Sequence, residues 1–194
     1  MIEFLDKIDK SLFVFLNGIN SPFFDPVMYH ISNIWTWLPV FVILLYVTIK
    51  KYGIKTLWIF LFIAILVTLT DQSSVHLFKN VCTRLRPCHE PSLNGLVHTV
   101  YNKCGGQYGF VSSHAANYSG IAAFFIILLS IKQKSYIILL ILWVTLICYS
   151  RIYLGVHYPA DVIAGSLLGT IIGWIWAKIT LKLLLKLPPV KSKK

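Results

Sequence analysis

The chain has 194 residues, of which 57% are hydrophobic and 13% are charged, and its mean hydropathy is +0.72. This composition excludes an ordinary soluble domain and indicates membrane spans. The formal net charge of +11 would suit nucleic acid, but the lysines cluster between apolar stretches and at the end of the chain, as in the loops of membrane proteins. We therefore expect no nucleic-acid partner and treat residues 1–194 as one domain.

The first segment, Ile2–Gly18, alternates apolar residues at helical spacing with acidic and basic ones. This pattern predicts an amphipathic helix lying in the membrane interface. Five apolar stretches follow, each near the roughly 20 residues that a bilayer requires: residues 26–49, 56–78, 114–131, 136–153 and 159–183. The sequence thus predicts an all-α integral membrane protein, a bundle of five transmembrane helices, with the first segment becoming a sixth span if it is buried.

Lysines follow the first and third stretches and lie at the end of the fifth stretch and after it, and five spans place these sites on one side of the membrane. They are Lys50, Lys51, Lys55, Lys132, Lys134, Lys178, Lys182, Lys186, Lys191, Lys193 and Lys194. The positive-inside rule makes that side cytoplasmic. The opposite side then holds the amphipathic segment, the long loop 79–113 and the short turn 151–158.

Three polar stretches carry the residues of chemical interest. The first contains Lys79, Arg86 and Pro87 in the spacing K-x6-R-P, the second is V-S-S-H at residues 111–114, and the third is S-R-x5-H-x3-D at residues 150–161. No predicted span separates the first two, and two spans separate the second from the third. All three therefore open onto the same, non-cytoplasmic face.

These stretches contain the residue types that phosphoryl transfer needs. Cations neutralise phosphate, and a guanidinium offers forked donors that match its oxygens. A helix begun by a serine N-cap adds backbone N–H groups that bind anions. Asp161 lies about one turn after His157, so it can hold one ring nitrogen and leave the other as a nucleophile, while His114 can protonate the departing oxygen. The cations are Lys79, Arg86 and Arg151, and the N-cap is Ser112.

In these residues the sequence resembles the type-2 phosphatidic acid phosphatase superfamily. The spacings K-x6-R-P and S-R-x5-H-x3-D match its first and third signatures, and residues 111–114 retain the serine and histidine of its middle signature, P-S-G-H. The resemblance implies that His157 becomes phosphorylated, Asp161 orients it and His114 serves the leaving group. It also implies a phosphate site formed by Lys79, Arg86, Ser112, Ser113 and Arg151. Ser113 replaces the family glycine, so we expect a slightly altered loop geometry.

Metal chemistry is the main rival for phosphate transfer. Of seven acidic residues, only Asp71, Glu90 and Asp161 lie near the motifs, too few and too scattered for a Mg²⁺ site. Cys82-x5-Cys88 lacks zinc-ligand spacing. We therefore expect no metal and no cofactor. Lys79, Arg84 and Arg86, each considered alone, are typical of cations at the membrane boundary.

Cysteines 82, 88 and 104 share the predicted outer loop, where an oxidising compartment would allow one disulfide among three pairings. Cys88 with Cys104 is our choice, because this pair closes the segment between the first two signatures.

The function expected from these features is that of a membrane lipid phosphatase. The resemblance, combined with an outward-facing site, suggests a bacterial cytoplasmic (inner) membrane protein acting at the periplasm or cell exterior. Its substrate would be undecaprenyl diphosphate, phosphatidylglycerophosphate, phosphatidic acid or a lipid A phosphate. A lipid phosphotransferase of the same fold and a non-catalytic lipid-binding protein are the alternatives, and the oligomeric state stays open.

Overall fold

The structure is a computed structural model and describes residues 2–187, so the predicted lysines 191, 193 and 194 lie outside the described residues. Within residues 2–187 the chain is helical and contains no β-strand. The α-helices are α1 (Ile2–Gly18), α2 (Phe24–Ile31), α3 (Leu38–Tyr52), α4 (Thr56–Ser73), α5 (Asn80–Cys82), α6 (Ser113–Leu128), α7 (Lys134–Tyr153) and α8 (Pro159–Lys186).

Helices α3, α4, α6, α7 and α8 form the bundle of apolar helices, and α6 and α8 pack most closely at its centre. The close approach requires glycine in α8. A Cβ added at Gly169 or Gly173 would overlap the backbone of Ala116 or Gly120 in α6. Backbones that approach this closely are typical of helix packing in membranes, where small residues lie at the interface.

The lysine-rich ends of the bundle helices lie together. Gly53, with φ of 55°, ends α3 and lets the chain turn back into α4. The Nζ of Lys51 donates to the Leu128 carbonyl at 3.2 Å, and that of Lys55 donates to the Leu184 carbonyl at 3.0 Å. The predicted lysine clusters that the structure describes are thus at one end of the bundle, and the three signature stretches are at the other.

The predicted span 26–49 is wrong at its start. Residues 24–37 instead form α2 and a 3₁₀ turn, Ile34–Trp37, and the span begins at Leu38. The break falls at Asn33, whose extended backbone and side-chain oxygen cap the turn by accepting from the Trp35 N–H at 3.1 Å. Helix α3 is therefore short, with 15 residues covering about 22 Å at 1.5 Å per residue.

The predicted second span is longer than expected at its C-terminal end. After α4 the chain continues as a π-helical segment, Ser74–Lys79, before α5. A π segment changes the direction of the side chains that follow it and frequently accompanies a functional site. Here it brings Ser74 and Lys79 beside Ser113 at the start of α6.

Helix α1 packs against α7 and α8 at the end of the bundle that carries the signature stretches. Its outward face is apolar and exposed, and comprises Phe4, Leu5, Ile8, Leu12 and Phe15. Its inward face buries Phe13 against the Tyr158 ring, with centroids 5.3 Å apart. The side-chain N–H groups of Asn17 donate to the carbonyls of Ile152 and Tyr153 at 3.0 and 2.8 Å. These contacts all involve the segment that carries the third signature.

Candidate active site

A cavity of about 630 Å³ opens at the end of the bundle that carries the signature stretches, between α2, the end of α4, the start of α6 and the end of α7. Six of the eight site residues predicted from the sequence line it. They are Lys79, Arg86, Ser113, His114, Arg151 and His157. The other two, Ser112 and Asp161, are fully buried behind its wall.

His157 and Asp161 form a buried pair at the cavity wall. His157 is 2% exposed and Asp161 is 0% exposed. The His157 Nδ1 lies 3.5 Å from Asp161 Oδ2, longer than a good hydrogen bond, and has no hydrogen-bond partner among the described residues. Catalytic hydrogen bonds are often long without substrate and shorten when it binds. With Nδ1 turned to the carboxylate, Nε2 is the ring nitrogen on the cavity side.

The start of α8 fixes the position of Asp161. Pro159 occupies the first turn, where its missing N–H costs no hydrogen bond. Asp161 Oδ2 then accepts from the Tyr158 N–H at 3.0 Å, as the acidic member of a capping box. The Asp161 carbonyl in turn accepts from the Ser112 N–H at 3.0 Å, so the second and third signature stretches are joined directly.

Three cationic side chains converge on the cavity. Arg151 donates through Nη1 to Ser32, while its buried Nε has no hydrogen-bond partner among the described residues. Arg86 donates from Nε to the Tyr108 carbonyl at 3.2 Å. The Lys79 Nζ donates to Ser113 Oγ at 2.6 Å. Several N–H groups therefore remain for an anion.

The middle signature differs from expectation at Ser112. Its hydroxyl oxygen accepts from the Ala115 N–H at 3.4 Å and so caps α6, as predicted. However, the Ser112 side chain is 0% exposed and does not line the cavity. His114 and Ser113 in the next two positions do line it.

The loop that carries Arg86 is held by backbone pairing and by a disulfide. The Arg86 N–H donates to the Gln107 carbonyl at 3.0 Å, and the Gly109 N–H donates to the Arg84 carbonyl at 2.9 Å. The structure joins Cys88 to Cys104, the pair chosen from the sequence. Among residues 2–187, Cys88, His89 and Cys104 have ligand atoms close enough together to share a metal ion. The disulfide uses both cysteine sulfurs, which leaves His89 as the remaining ligand of this group.

Sequence reasoning missed the acidic network behind Asp161. Arg84, which is not part of the K-x6-R-P signature, donates to Asp161 Oδ1 at 3.0 Å and to Asp6 Oδ1 of α1 at 2.8 Å. Asp9 Oδ2 lies 2.8 Å from the same guanidinium. No local pattern in the sequence predicts this cluster, because Arg84 lies more than 70 positions from each of the three carboxylates.

Burial and the surrounding cations determine the protonation of His157. Burial, followed by the charges of Arg151, Arg86 and Lys79, lowers the pKa of His157 well below its usual 6.5. The ring is therefore neutral at neutral pH, as a nucleophile requires. Burial also lowers the pKa of Arg86, but an arginine stays charged in proteins. The cavity is thus lined by the neutral imidazole of His157, by cations that can bind a phosphate, and by a second histidine, His114.

Comparison with known proteins agrees with this geometry. The profile of the PAP2 superfamily, which is the type-2 phosphatidic acid phosphatase superfamily, matches residues 56–184. A lipid A 4′-phosphatase of Bacteroides thetaiotaomicron is 38% identical over 96% of this chain and 83% of its own length. A lipid A 4′-phosphatase of Porphyromonas gingivalis is 36% identical over 93% of this chain and 76% of its own.

The fold is also that of a solved structure, a transmembrane PAP2-type phosphatidylglycerolphosphate phosphatase from Bacillus subtilis. The TM-score is 0.69 over 98% of this chain and 89% of that one, at 22% sequence identity, which shows a common fold. The matched family segment contains all three signature stretches. The chain therefore belongs to the PAP2 superfamily and is a membrane lipid phosphatase that hydrolyses phosphoric esters.

Proposed function

We propose that this chain removes a phosphate monoester from the sugar headgroup of lipid A, through a phosphohistidine at His157 and without a metal. The observation that supports this best is the neutral His157 ring between a buried carboxylate and three cations. The choice of lipid A rests on the two similar 4′-phosphatases, which share more than a third of their residues with nearly the whole chain.

The proposed reaction has two steps. His157 Nε2 attacks phosphorus, the bond from phosphorus to the sugar oxygen breaks, and His114, which enters this step protonated, donates its proton to that oxygen. The negative charge of the bound phosphate favours the protonated form of His114. The neutral His114 then takes a proton from water, whose oxygen attacks the phosphohistidine and releases inorganic phosphate. In each transition state the negative charge is spread over the three equatorial oxygens, and Lys79, Arg86 and Arg151 stabilise it.

The cavity mouth suits a large polar headgroup. The Nζ of Lys103 lies there, 2.6 Å from the hydroxyl of Tyr29 and 4.9 Å from the centre of its ring. Tyr101 packs edge-on against Tyr29 with centroids 5.0 Å apart. Aromatic faces beside a cation can contact a sugar and a further phosphate at the same time, whereas a prenyl diphosphate presents no sugar to them.

We also propose that the site faces the periplasm from the cytoplasmic membrane. The end of the bundle opposite the cavity carries the lysine-rich connections, which the positive-inside rule assigns to the cytoplasm. A headgroup in the outer leaflet would then reach His157 while its acyl chains remain in the bilayer, where each buried CH₂ contributes about 0.8 kcal/mol.

The test is phosphate release by the purified protein from lipid A, undecaprenyl diphosphate, phosphatidic acid and glucose 6-phosphate, in the presence of a chelator. We expect the highest kcat/KM for lipid A, and mass spectrometry should locate the loss at the 4′ position. The His157→Ala variant is the inactive control. Equal activity on every substrate, or loss of activity on chelation, would contradict the proposal. Appearance of the phosphate on a second lipid instead of in solution would identify a phosphotransferase.

A further inference from the structure

The carboxylate of Asp161 uses both of its oxygens. Oδ2 accepts from the Tyr158 N–H at 3.0 Å and faces His157 Nδ1 at 3.5 Å. Oδ1 accepts from Nη1 of Arg84 at 3.0 Å. Since the carboxylate is rigid and planar, the Arg84 contact on one oxygen fixes the direction in which the other oxygen points.

A fully buried carboxylate needs a cation beside it to remain ionised. Without one, desolvation favours the protonated form, which can no longer stabilise positive charge on an imidazole. Five charged or titratable groups face Asp161: Arg84 and Arg86 from the loop after α5, Asp9 from α1, Lys79 from the π-helical segment, and His157. Lys79 and Arg86 line the cavity and would bind the phosphate, which leaves Arg84 to compensate Asp161.

Arg84 is itself held in place from the other side. Its guanidinium lies 2.8 Å from Asp6 Oδ1 and from Asp9 Oδ2, and its Cζ lies 4.0 Å above the centre of the Tyr158 ring. Burial lowers the pKa of Arg84, but the carboxylates of Asp161, Asp9 and Asp6 outweigh this effect and raise it. Arg84 therefore stays charged, and α1 contributes to its position.

The docking of α1 does not depend on this cluster alone. Phe13 is buried against Tyr158. Asn17, which lies eight residues after Asp9 in α1, donates to the carbonyls of Ile152, Tyr153 and His98. Loss of Arg84 would thus leave α1 anchored by its second half. Anchoring of α1 therefore does not explain why Arg84 contacts Asp161.

We infer that Arg84, supported by Asp6 and Asp9 of α1, is a positioning residue of the phosphatase reaction: it keeps Asp161 ionised and aims Oδ2 at His157. The inference rests on the proposed nucleophile. Arg84 does not touch the substrate, so its removal changes kcat and the pH dependence while KM stays nearly constant.

Two variants separate the charge of Arg84 from its geometry. Arg84→Gln removes the charge, so kcat should fall by about 10- to 100-fold, as for other groups that orient a catalytic residue, and the acid limb of the kcat profile should move to higher pH. Arg84→Lys keeps the charge but not the fork, so kcat should fall less and the acid limb should stay at the wild-type pH. Lys7→Gln, an exposed site on α1, is the matched control and should match wild type.

The outcome is decided by kcat, KM, the pH profile and thermal unfolding in detergent. An unshifted acid limb in folded Arg84→Gln, or a loss confined to KM, would overturn the inference. If Arg84→Gln does not fold, a wild-type kcat in Arg84→Lys would overturn it. Trapping of phosphohistidine in the wild type tests the nucleophile separately: a wild type without it contradicts the proposed function, whereas its presence with insensitivity to Arg84 contradicts only this inference.

Discussion

The Nζ of Lys79 donates a 2.6 Å hydrogen bond to the hydroxyl of Ser113, the residue that replaces the glycine of the family signature. Ser113 Oγ also lies 2.5 Å from Ser74 Oγ in the π-helical segment. The serine therefore fixes the lysine at the cavity wall, and the altered signature provides a contact that glycine could not make.

Removal of this hydroxyl tests its role in holding Lys79. One hydrogen bond is worth about 1 kcal/mol, so Ser113→Ala should raise KM roughly fivefold, with kcat changed less. Steady-state kinetics on lipid A measures both constants, and Ser135→Ala, at an exposed position of the opposite end, is the control. A variant with unchanged KM would show that Lys79 needs no such support.

Lys103 provides a test of headgroup selection. Because its ammonium lies at the cavity mouth beside Tyr29, Lys103→Ala should weaken binding of lipid A by about 1.5 kcal/mol, roughly a tenfold rise in KM, the value of a hydrogen bond to a charged group. For undecaprenyl diphosphate the change should be smaller. Lys7→Ala serves as the control for lost surface charge, and an equal change for both lipids would contradict the assignment.

The pH dependence of stability reports the protonation of His157. In the folded state the pKa of His157 lies below the usual 6.5. As pH falls below 6.5, His157 therefore becomes protonated in the unfolded chain but stays neutral in the folded chain. Stability is therefore lost as pH falls through this window. The His157→Gln variant lacks the effect, so the Tm of wild type relative to the variant should decrease from neutral pH to about pH 5. A constant difference in Tm would mean that the pKa is not lowered.

The membrane orientation is tested by labelling single cysteines from outside intact cells. Asn94 is exposed in the loop between α5 and α6, which carries Arg86, and Gln133 is exposed between Lys132 and Lys134. In a background without the exposed Cys82, Asn94→Cys should react and Gln133→Cys should be protected. The reverse pattern would place the active site in the cytoplasm.

Much of this architecture could be predicted from the sequence, because membrane spans and gapless motifs are local signals. Span parity correctly brought Lys79, His114 and His157 to one end. The start of the first span was wrong, since the hydropathy of residues 26–37 concealed the cap at Asn33. This residue and Pro39 in the first turn of α3 are the signals that could have indicated the break.

The network behind the nucleophile could not be predicted in this way. Asp6 and Asp9 have the spacing expected of polar positions on an amphipathic helix, and Arg84 resembles a boundary arginine. Their meeting depends on how α1 crosses the bundle, a tertiary relationship without a local pattern. The same limit applies to Ser112. Its position in the motif predicts contact with phosphate, but it packs against the start of α8 and is buried.

The central claim is that His157 carries the phosphate during turnover. The most direct measurement is to quench the protein under alkaline conditions during hydrolysis of lipid A, with chelator present, and to locate the modification by peptide mass spectrometry. We expect phosphohistidine at His157, none in His157→Ala, and much less in Asp161→Asn, where loss of the orienting carboxylate costs about 10⁴-fold in comparable triads. Full turnover by His157→Ala, or phosphate found on another residue, would contradict the account.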